Sequence, residues 1–261
     1  MKSVYCFTLI TFGIMTLAFP QGQRKTFVMV HAQWHGGWCW EKVVPLLQNK
    51  GHQAIAFDLP GHGSDTSRTE TITLEDCVEK VVTTSMALPG QVILVGHSSS
   101  GIVIAQAAEI LGKDKVMSLV FVDGFLPNDG ESVFSLAEKY ASSGTPLAKS
   151  FILSNDQQTI SLNLDDVQNL LYHDCSAADV NLTKSKLRPG PQAVLATAAK
   201  LSEKNYGAIP KYYILCTKAR DMEKTRLAKN VSCKKVYTLA SSHSPFFSMP
   251  EELVKILEKI P

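Results

Sequence analysis

Extremes of charge are missing from this sequence. It contains no run of basic residues and no acidic tail, and its formal net charge is only +2 over 261 residues. A near-neutral chain without a basic patch gives no indication of a nucleic-acid partner. Internal repeats and low-complexity linkers are also absent, and 45% of the residues are hydrophobic. At this length and hydrophobicity, we predict one globular domain with a sizeable core.

Cysteine is scarce and irregularly spaced. Cys6 lies near the N-terminus, in a segment that we expect to be removed, which leaves Cys39, Cys77, Cys175, Cys216 and Cys233. An odd number of widely spaced cysteines does not match a disulfide framework, although it leaves room for one bridge. His31 and His35 lie four residues apart, but in a loop that lacks a third ligand at metal-binding spacing. We therefore expect neither a metal ion nor a cofactor.

The N-terminal segment is typical of an export signal. Lys2 precedes an uncharged, mostly apolar stretch at residues 4–19. A bilayer-spanning helix needs about 20 apolar residues, so this stretch fits a removable signal peptide better than an anchor. We predict a signal peptide at residues 1–20 and a secreted protein without stable membrane insertion after its removal; an uncleaved anchor is the alternative. The sequons at Asn181 and Asn230 fit this route and predict a glycoprotein.

The mature sequence, residues 24–261, alternates apolar strand-like segments with helix-like segments. Strands are predicted at residues 26–31, 53–57, 91–95, 118–122, 211–216 and 234–239. Continuous apolar strands separated by amphipathic helices indicate a mostly parallel sheet flanked by helices. The alternation stops between about residues 125 and 209, where the sequence is helical and loop-like. We predict a single α/β domain in which this insertion forms a helical cap over the carboxyl edge of the sheet.

The strongest chemical signal is a serine between a strand and a helix. Residues 96–101 read Gly-His-Ser-Ser-Ser-Gly and follow the apolar segment QVILV directly. A nucleophile elbow needs this context, because its turn is tight and only small residues can flank the nucleophile. The usual pattern is G-x-S-x-G; here Ser100 replaces the second glycine, and Gly101 follows one place later. Ser98 is the predicted nucleophile; the alternative is a serine-rich turn that caps a helix.

A serine nucleophile requires a base, and that base requires an orienting carboxylate. His243 lies after the last predicted strand and before the last helix, where this chain order places the base. Asp221 lies in the loop after the strand at 211–216 and is the preferred acid. Asp123, which ends the strand at 118–122, is the alternative.

Two backbone N–H groups should hold the developing oxyanion. One is that of Ser99, which follows the nucleophile. The other is predicted to be that of Gln33, in the loop after the first strand. Trp34 and Trp38, in the same loop, are candidates for the lining of an acyl pocket.

Together these residues resemble the plant methylesterase and hydroxynitrile lyase family of α/β-hydrolases and its bacterial small-esterase relatives. The similarity covers nearly the whole mature chain, in the segments FVMVHAQWHGGWCWEKVVPLLQNKGHQAIAFDLPGHGSD, QVILVGHSSSG, LLYHDCS, LRPGP, IPKYYILCT and SSHSPFFSMPEEL. The resemblance implies the α/β-hydrolase fold with a compact core, a helical cap and a largely enclosed apolar pocket. It also implies a cofactor-free mechanism through an acyl-enzyme.

The family includes esterases and lyases, and this sequence is closer to the esterases. In the lyases a lysine typically follows the catalytic histidine and a threonine follows the first histidine of the oxyanion loop. Here Ser244 follows His243, and Ala32 follows His31. His97, before the nucleophile, also matches the esterase branch. We predict a serine esterase that cleaves a small, mainly apolar carboxylic ester; a non-catalytic ligand-binding protein is the alternative, and a lyase is disfavoured.

One departure from the family concerns the acid. Relatives with the CT-containing segment usually carry it about three residues beyond the position of Cys216, where this chain has Ala219. Asp221 lies two residues further on, so the choice between Asp221 and Asp123 stays open at this point. The expected partner is a small-molecule ester, and the oligomeric state is left open, with a homodimer as one option.

Overall fold

The computed structural model describes residues 24–140 and 145–261, so the predicted signal peptide at residues 1–20 lies outside the described residues. The β-strands are β1 Thr26–Val30, β2 Gln53–Ala56, β3 Val92–His97, β4 Val116–Val122, β5 Phe151–Leu153, β6 Thr159–Leu162, β7 Gly190–Pro191, β8 Lys211–Cys216 and β9 Lys235–Leu239. The α-helices are α1 Val43–Asn49, α2 Leu74–Met86, α3 Ser100–Lys115, α4 Val133–Tyr140, α5 Leu164–Leu171, α6 Ala177–Lys186, α7 Gln192–Ala196, α8 Pro245–Ser248 and α9 Pro250–Leu257.

Six strands form one parallel sheet in the order β2-β1-β3-β4-β8-β9. Every residue of the central strand β3 is buried, so helices must cover both faces of the sheet at its centre. Val95 lies between Met29 of β1 and Val120 of β4 in register, and all three side chains are buried. The mostly parallel sheet flanked by helices, predicted from the alternation of segments, is confirmed, and with it the α/β-hydrolase fold that the resemblance implies.

The helices of the core form where the sequence provides caps and apolar faces. α2 begins with a capping box, in which Thr73 and Asp76 satisfy each other's backbone N–H groups. α2 packs against α3, and α1 packs against α9. The first turn of α3 follows Ser98 directly, which positions the predicted nucleophile at the carboxyl end of β3.

The segment between β4 and β8 contains the helices α4 to α7, as the prediction of a helical cap requires. It also contains a three-stranded antiparallel sheet in the order β5-β6-β7, which the sequence analysis did not predict. These strands are short, and Ile152 and Leu153 of β5 are exposed. A strand without a buried apolar run lacks the signal by which strands are recognised in a sequence. The cap limits near residues 125 and 209 stay a prediction.

Three features of the described residues bear on the predicted export route: helix hydrophobicity, the cysteines and the two sequons. Within residues 24–140 and 145–261, no helix combines the length and hydrophobicity needed to cross a bilayer. The cysteines in these ranges are free thiols. Asn181 is exposed on α6, whereas the Nδ2 atom of Asn230 donates to Leu126 O at 2.8 Å and to Glu131 Oε2 at 2.6 Å. Secretion and glycosylation stay predictions.

Candidate active site

Ser98 occupies a strained turn between β3 and α3. Its φ angle is +53°, in the left-handed region that non-glycine residues rarely adopt. Ser98 N donates to Val122 O at 3.1 Å, and Phe125 N donates to Ser98 O at 2.9 Å. The turn is therefore tied to the end of β4, which stabilises a conformation that is unfavourable in isolation. This is the geometry of a nucleophile elbow.

Small residues around Ser98 allow this turn to form. A Cβ atom on Gly101 would lie 2.0 Å from Phe125 O, closer than any real contact. Ser100 replaces the usual second glycine, and the turn has room for its side chain. The Ser100 hydroxyl is placed to donate to Val30 O at 2.9 Å and to His97 O at 2.8 Å. The departure from the G-x-S-x-G pattern is therefore compatible with the elbow.

The close approach at Gly101 leads to a prediction about stability. Because the obstructing atom is a backbone carbonyl oxygen, Gly101→Ala should force the loop after β4 away and destabilise the protein by about 3 kcal/mol. Gly124→Ala is the matched control, since its Cβ would meet the nearest atoms at 3.4 Å, an ordinary contact, and should cost less than about 1 kcal/mol. Urea unfolding measures both, and equal losses in the two variants would contradict this explanation.

His243 lies between β9 and α8 and is almost completely buried. Its Nδ1 atom is 2.6 Å from Asp123 Oδ2 and 3.5 Å from Asp221 Oδ2. His97 Nε2 donates to the His243 carbonyl at 2.8 Å and thereby holds the loop. The structure thus brings both predicted acids to His243. It places Asp123, the alternative, at hydrogen-bonding distance, and it does not place the preferred Asp221 there.

Lys224 lies between the two acids, and the sequence analysis did not identify it. Its side chain is 1% exposed, and its Nζ atom lies 2.9 Å from Asp123 Oδ2 and 2.5 Å from Asp221 Oδ2. Nζ is also 3.3 Å from His243 Nδ1. The ammonium group therefore contacts both carboxylates and is nearer to that of Asp221. The sequence analysis missed Lys224 because lysine is rarely fully buried and because the residues around it match no known motif. One signal for Lys224 was present in the sequence, namely the two candidate acids. Two carboxylates buried beside one histidine require a nearby cation, and Lys224 is close to Asp221 in sequence.

The charged groups of this cluster stabilise one another through direct contacts. Burial by itself would raise the pKa of Asp123, but the Lys224 ammonium and the hydrogen bond to His243 outweigh it and lower that pKa. Burial would lower the pKa of Lys224, but the carboxylates of Asp123 and Asp221 raise it. Lys224 is therefore a fixed cation, and Asp123 is a carboxylate at neutral pH.

The same cluster has the composition of a metal site. Asp123, Asp221 and His243 offer ligand atoms within 4.8 Å of one another. However, the Lys224 ammonium contacts Oδ2 of both carboxylates and already supplies the positive charge between them. A metal ion would have to displace a buried lysine, so this arrangement does not fit a metal centre.

The two residues predicted to supply the oxyanion donors are in contact through the Ser99 side chain. Gln33 N donates to Ser99 Oγ at 2.8 Å. The side chain of Gln33 anchors its own loop, because Nε2 donates to Pro191 O at 2.8 Å and Oε1 lies 3.1 Å from His62 Nε2. His35 Nδ1 donates to Gln33 O at 2.8 Å. The loop is therefore held from both sides, and the role of its N–H group as an oxyanion donor stays a prediction.

Neutral histidines keep this loop rigid. Burial lowers the pKa of His31 to about 3 and that of His35 to about 4. Leu59 N donates to His31 Nε2 at 2.9 Å, so the proton of that ring is on Nδ1, which donates to Ala32 O at 2.8 Å. Because neither ring gains a proton near neutral pH, these hydrogen bonds are unchanged across the neutral pH range.

A cavity of about 490 Å³ opens beside Ser98. It lies between the core and the cap, and most of its lining is apolar: Trp34, Phe125, Val133, Phe134, Ala137, Leu147, Ala148, Phe151, Leu195 and Met222, with Ser98, Ser99, Glu138, Thr145 and Asp221 as the polar members. Of the two tryptophans suggested for the pocket, Trp34 lines it. Trp38 does not; it stacks instead on His35 and Phe247. The cavity can hold a compact apolar ligand with its reactive group at Ser98.

Comparison with known proteins agrees with this geometry. A profile described as "Alpha/beta hydrolase family" matches residues 27–256. The chain is 31% identical to Methylesterase 2 of Arabidopsis thaliana over 247 residues, which cover 88% of this chain and 94% of the relative. It is 32% identical to Methylesterase 9 of the same plant, covering 91% of this chain and 100% of the relative. The crystal structure of polyneuridine aldehyde esterase superposes with a TM-score of 0.82 at 28% identity, over 91% of this chain and 99% of that chain.

Proposed function

Because this chain belongs to the alpha/beta hydrolase family, we propose that it is a serine esterase that cleaves small, mainly apolar carboxylic esters. The names of its relatives, methylesterases and an esterase, support ester hydrolysis as the reaction. Methyl esters of apolar acids are accordingly the first substrates to test. The apolar lining and limited volume of the cavity beside Ser98 support the size and polarity of the proposed substrate.

In the proposed mechanism, Ser98 Oγ attacks the ester carbonyl carbon while its proton passes to His243 Nε2. The N–H group of Gln33, which is released from Ser99 Oγ when the ester binds, and the N–H group of Ser99 stabilise the negative oxygen of the tetrahedral intermediate. The intermediate collapses, the C–O bond to the alcohol breaks, and the alcohol leaves with the proton from His243. Water then attacks the acyl group on Ser98, with His243 again as the base, and releases the acid.

Asp123 is the proposed orienting acid. The observation that carries this proposal is the 2.6 Å contact between His243 Nδ1 and Asp123 Oδ2. An ionised carboxylate at that distance holds the proton on Nδ1, which leaves Nε2 free to accept the proton of Ser98. It also stabilises the imidazolium that forms during attack.

Labelling with a fluorophosphonate probe tests the proposal. The probe should add covalently to wild-type protein at Ser98, detected by intact mass and peptide mapping, because only an activated serine reacts with it. The Ser98→Ala variant should show no adduct, and Ser99→Ala, which removes the neighbouring hydroxyl, should still be labelled. If the wild-type protein stays unlabelled under conditions in which a known serine hydrolase reacts fully, the proposed function is wrong.

A further inference from the structure

The two carboxylate oxygens of Asp221 have different surroundings. Oδ2 is bound by Lys224, whereas Oδ1 is buried and has no hydrogen-bond partner among residues 24–140 and 145–261. The residue as a whole is 2% exposed and borders the cavity that contains Ser98. A buried acceptor without a partner is costly, and native structures rarely keep one without a function.

Neither His243 nor the local backbone uses this oxygen. His243 Nδ1 already has Asp123 at 2.6 Å, and Asp221 Oδ2 is 3.5 Å from the same atom. Asp221 is therefore available for another role. The other polar residues at the cavity wall are accounted for, since Thr145 Oγ1 accepts from Ala148 N at 2.9 Å and Glu138 is exposed to solvent.

We propose that Asp221 Oδ1 accepts a hydrogen bond from the bound ester. The preferred substrates are then apolar esters that carry one neutral donor, a hydroxyl or an N–H group, and Asp221 is a specificity-determining residue. This inference rests on the proposed esterase function. A site with a buried polar group discriminates strongly against a ligand that leaves this group unpaired. The acceptor has then lost its hydrogen bonds to water and forms none with the ligand.

The wild-type enzyme provides the first test, with a set of matched methyl esters. Methyl hexanoate is compared with its positional hydroxy isomers and with the corresponding methoxy esters, which add similar bulk without a donor. Each kcat/KM is divided by the rate of alkaline hydrolysis of the same ester, which removes electronic effects. At least one hydroxy ester should exceed both methyl hexanoate and its methoxy counterpart by about 10- to 100-fold, the range of one hydrogen bond to a charged group.

The Asp221→Asn variant provides the second test. Lys224 requires an acceptor, so the amide oxygen should face the ammonium group and an N–H donor should replace Oδ1. The ratio of kcat/KM for the preferred hydroxy ester to its methoxy counterpart should then fall by at least about tenfold. Glu138→Gln is the matched control, because it changes an exposed acid at the same cavity, and it should leave this ratio unchanged.

The outcomes separate this inference from the proposed function. If wild-type protein hydrolyses methyl hexanoate but prefers no hydroxy ester, Asp221 has no such role, and the esterase function stands. An equal loss of activity on all esters in Asp221→Asn would make Asp221 the orienting acid and would also overturn the inference. If no ester is hydrolysed and the fluorophosphonate does not react, the proposed function itself fails.

Discussion

Replacing Asp123 with asparagine is expected to lower kcat by about 10,000-fold. Asparagine has nearly the same shape, but it has no charge, and its Nδ2 group donates where the carboxylate accepts. His243 would then carry its proton on Nε2 and could not take the proton of Ser98. Steady-state hydrolysis of p-nitrophenyl butyrate measures the loss, and circular dichroism establishes that the variant is folded.

Asp221→Asn is the matched control for this prediction, because it removes the second carboxylate of the same cluster. On an ester without a hydrogen-bond donor, this variant should lose no more than about tenfold in kcat, since Asp221 Oδ2 is 3.5 Å from His243 Nδ1. A large loss in Asp221→Asn together with a small loss in Asp123→Asn would assign the acid to Asp221, as the sequence analysis preferred. Equal, small losses in both variants would argue against a carboxylate-dependent histidine.

Removal of the buried cation is expected to have the largest effect on stability. In Lys224→Met, the carboxylates of Asp123 and Asp221 lose the ammonium group that contacts both of them. Breaking a buried ion pair in this way leaves uncompensated charge, so the free energy of unfolding at neutral pH should fall by about 3–5 kcal/mol. Methionine retains most of the apolar stem of lysine, which limits the loss from packing.

The pH dependence of this loss has a definite sign. In the wild-type protein the pKa of Asp123 is lowered, so its contribution to stability is present above the unfolded value, near 3.9, and disappears as the pH falls through the folded value. Without Lys224, repulsion and burial should raise the pKa of one of the two acids. The folded variant then gains stability from binding a proton at low pH, and that gain is lost as the pH rises. The deficit should therefore be larger at pH 8 than at pH 4.5.

Urea unfolding of the wild-type protein and the variant at both pH values measures this deficit. The double variant Asp221→Leu/Lys224→Met removes one carboxylate together with the cation, and it should recover at least half of the lost stability at pH 8. A deficit that is independent of pH and is not recovered by the double variant would indicate lost packing rather than uncompensated charge.

The parallel sheet and the elbow could be predicted because their signals are local. Residues 92–95 are a continuous apolar run within the strand Val92–His97, and the small residues after the strand fit a tight turn. The small sheet of the cap was missed for the opposite reason. Its strands are short and partly exposed, so their pairing depends on contacts with one another and not on a buried apolar pattern.

The position of His243 also followed from chain order, because the last βα connection lies at the same sheet edge as the elbow. The surroundings of this histidine did not follow from it. Asp123, Asp221 and Lys224 come from two connections more than 90 residues apart in sequence. Which of the two acids pairs with His243 Nδ1 depends on a difference between 2.6 and 3.5 Å.

The sequence by itself therefore determined the fold and the positions of the candidate nucleophile and base, because strand periodicity, turn geometry and chain order constrain them locally. The tertiary structure alone decided that Asp123 is the carboxylate nearest His243, that Lys224 is the counter-ion and that Asp221 borders the cavity. The physical reason is that electrostatic partners in a buried cluster are selected by ångström-scale distances and by competition for each oxygen atom. Neither quantity is encoded in the spacing of residues along one segment.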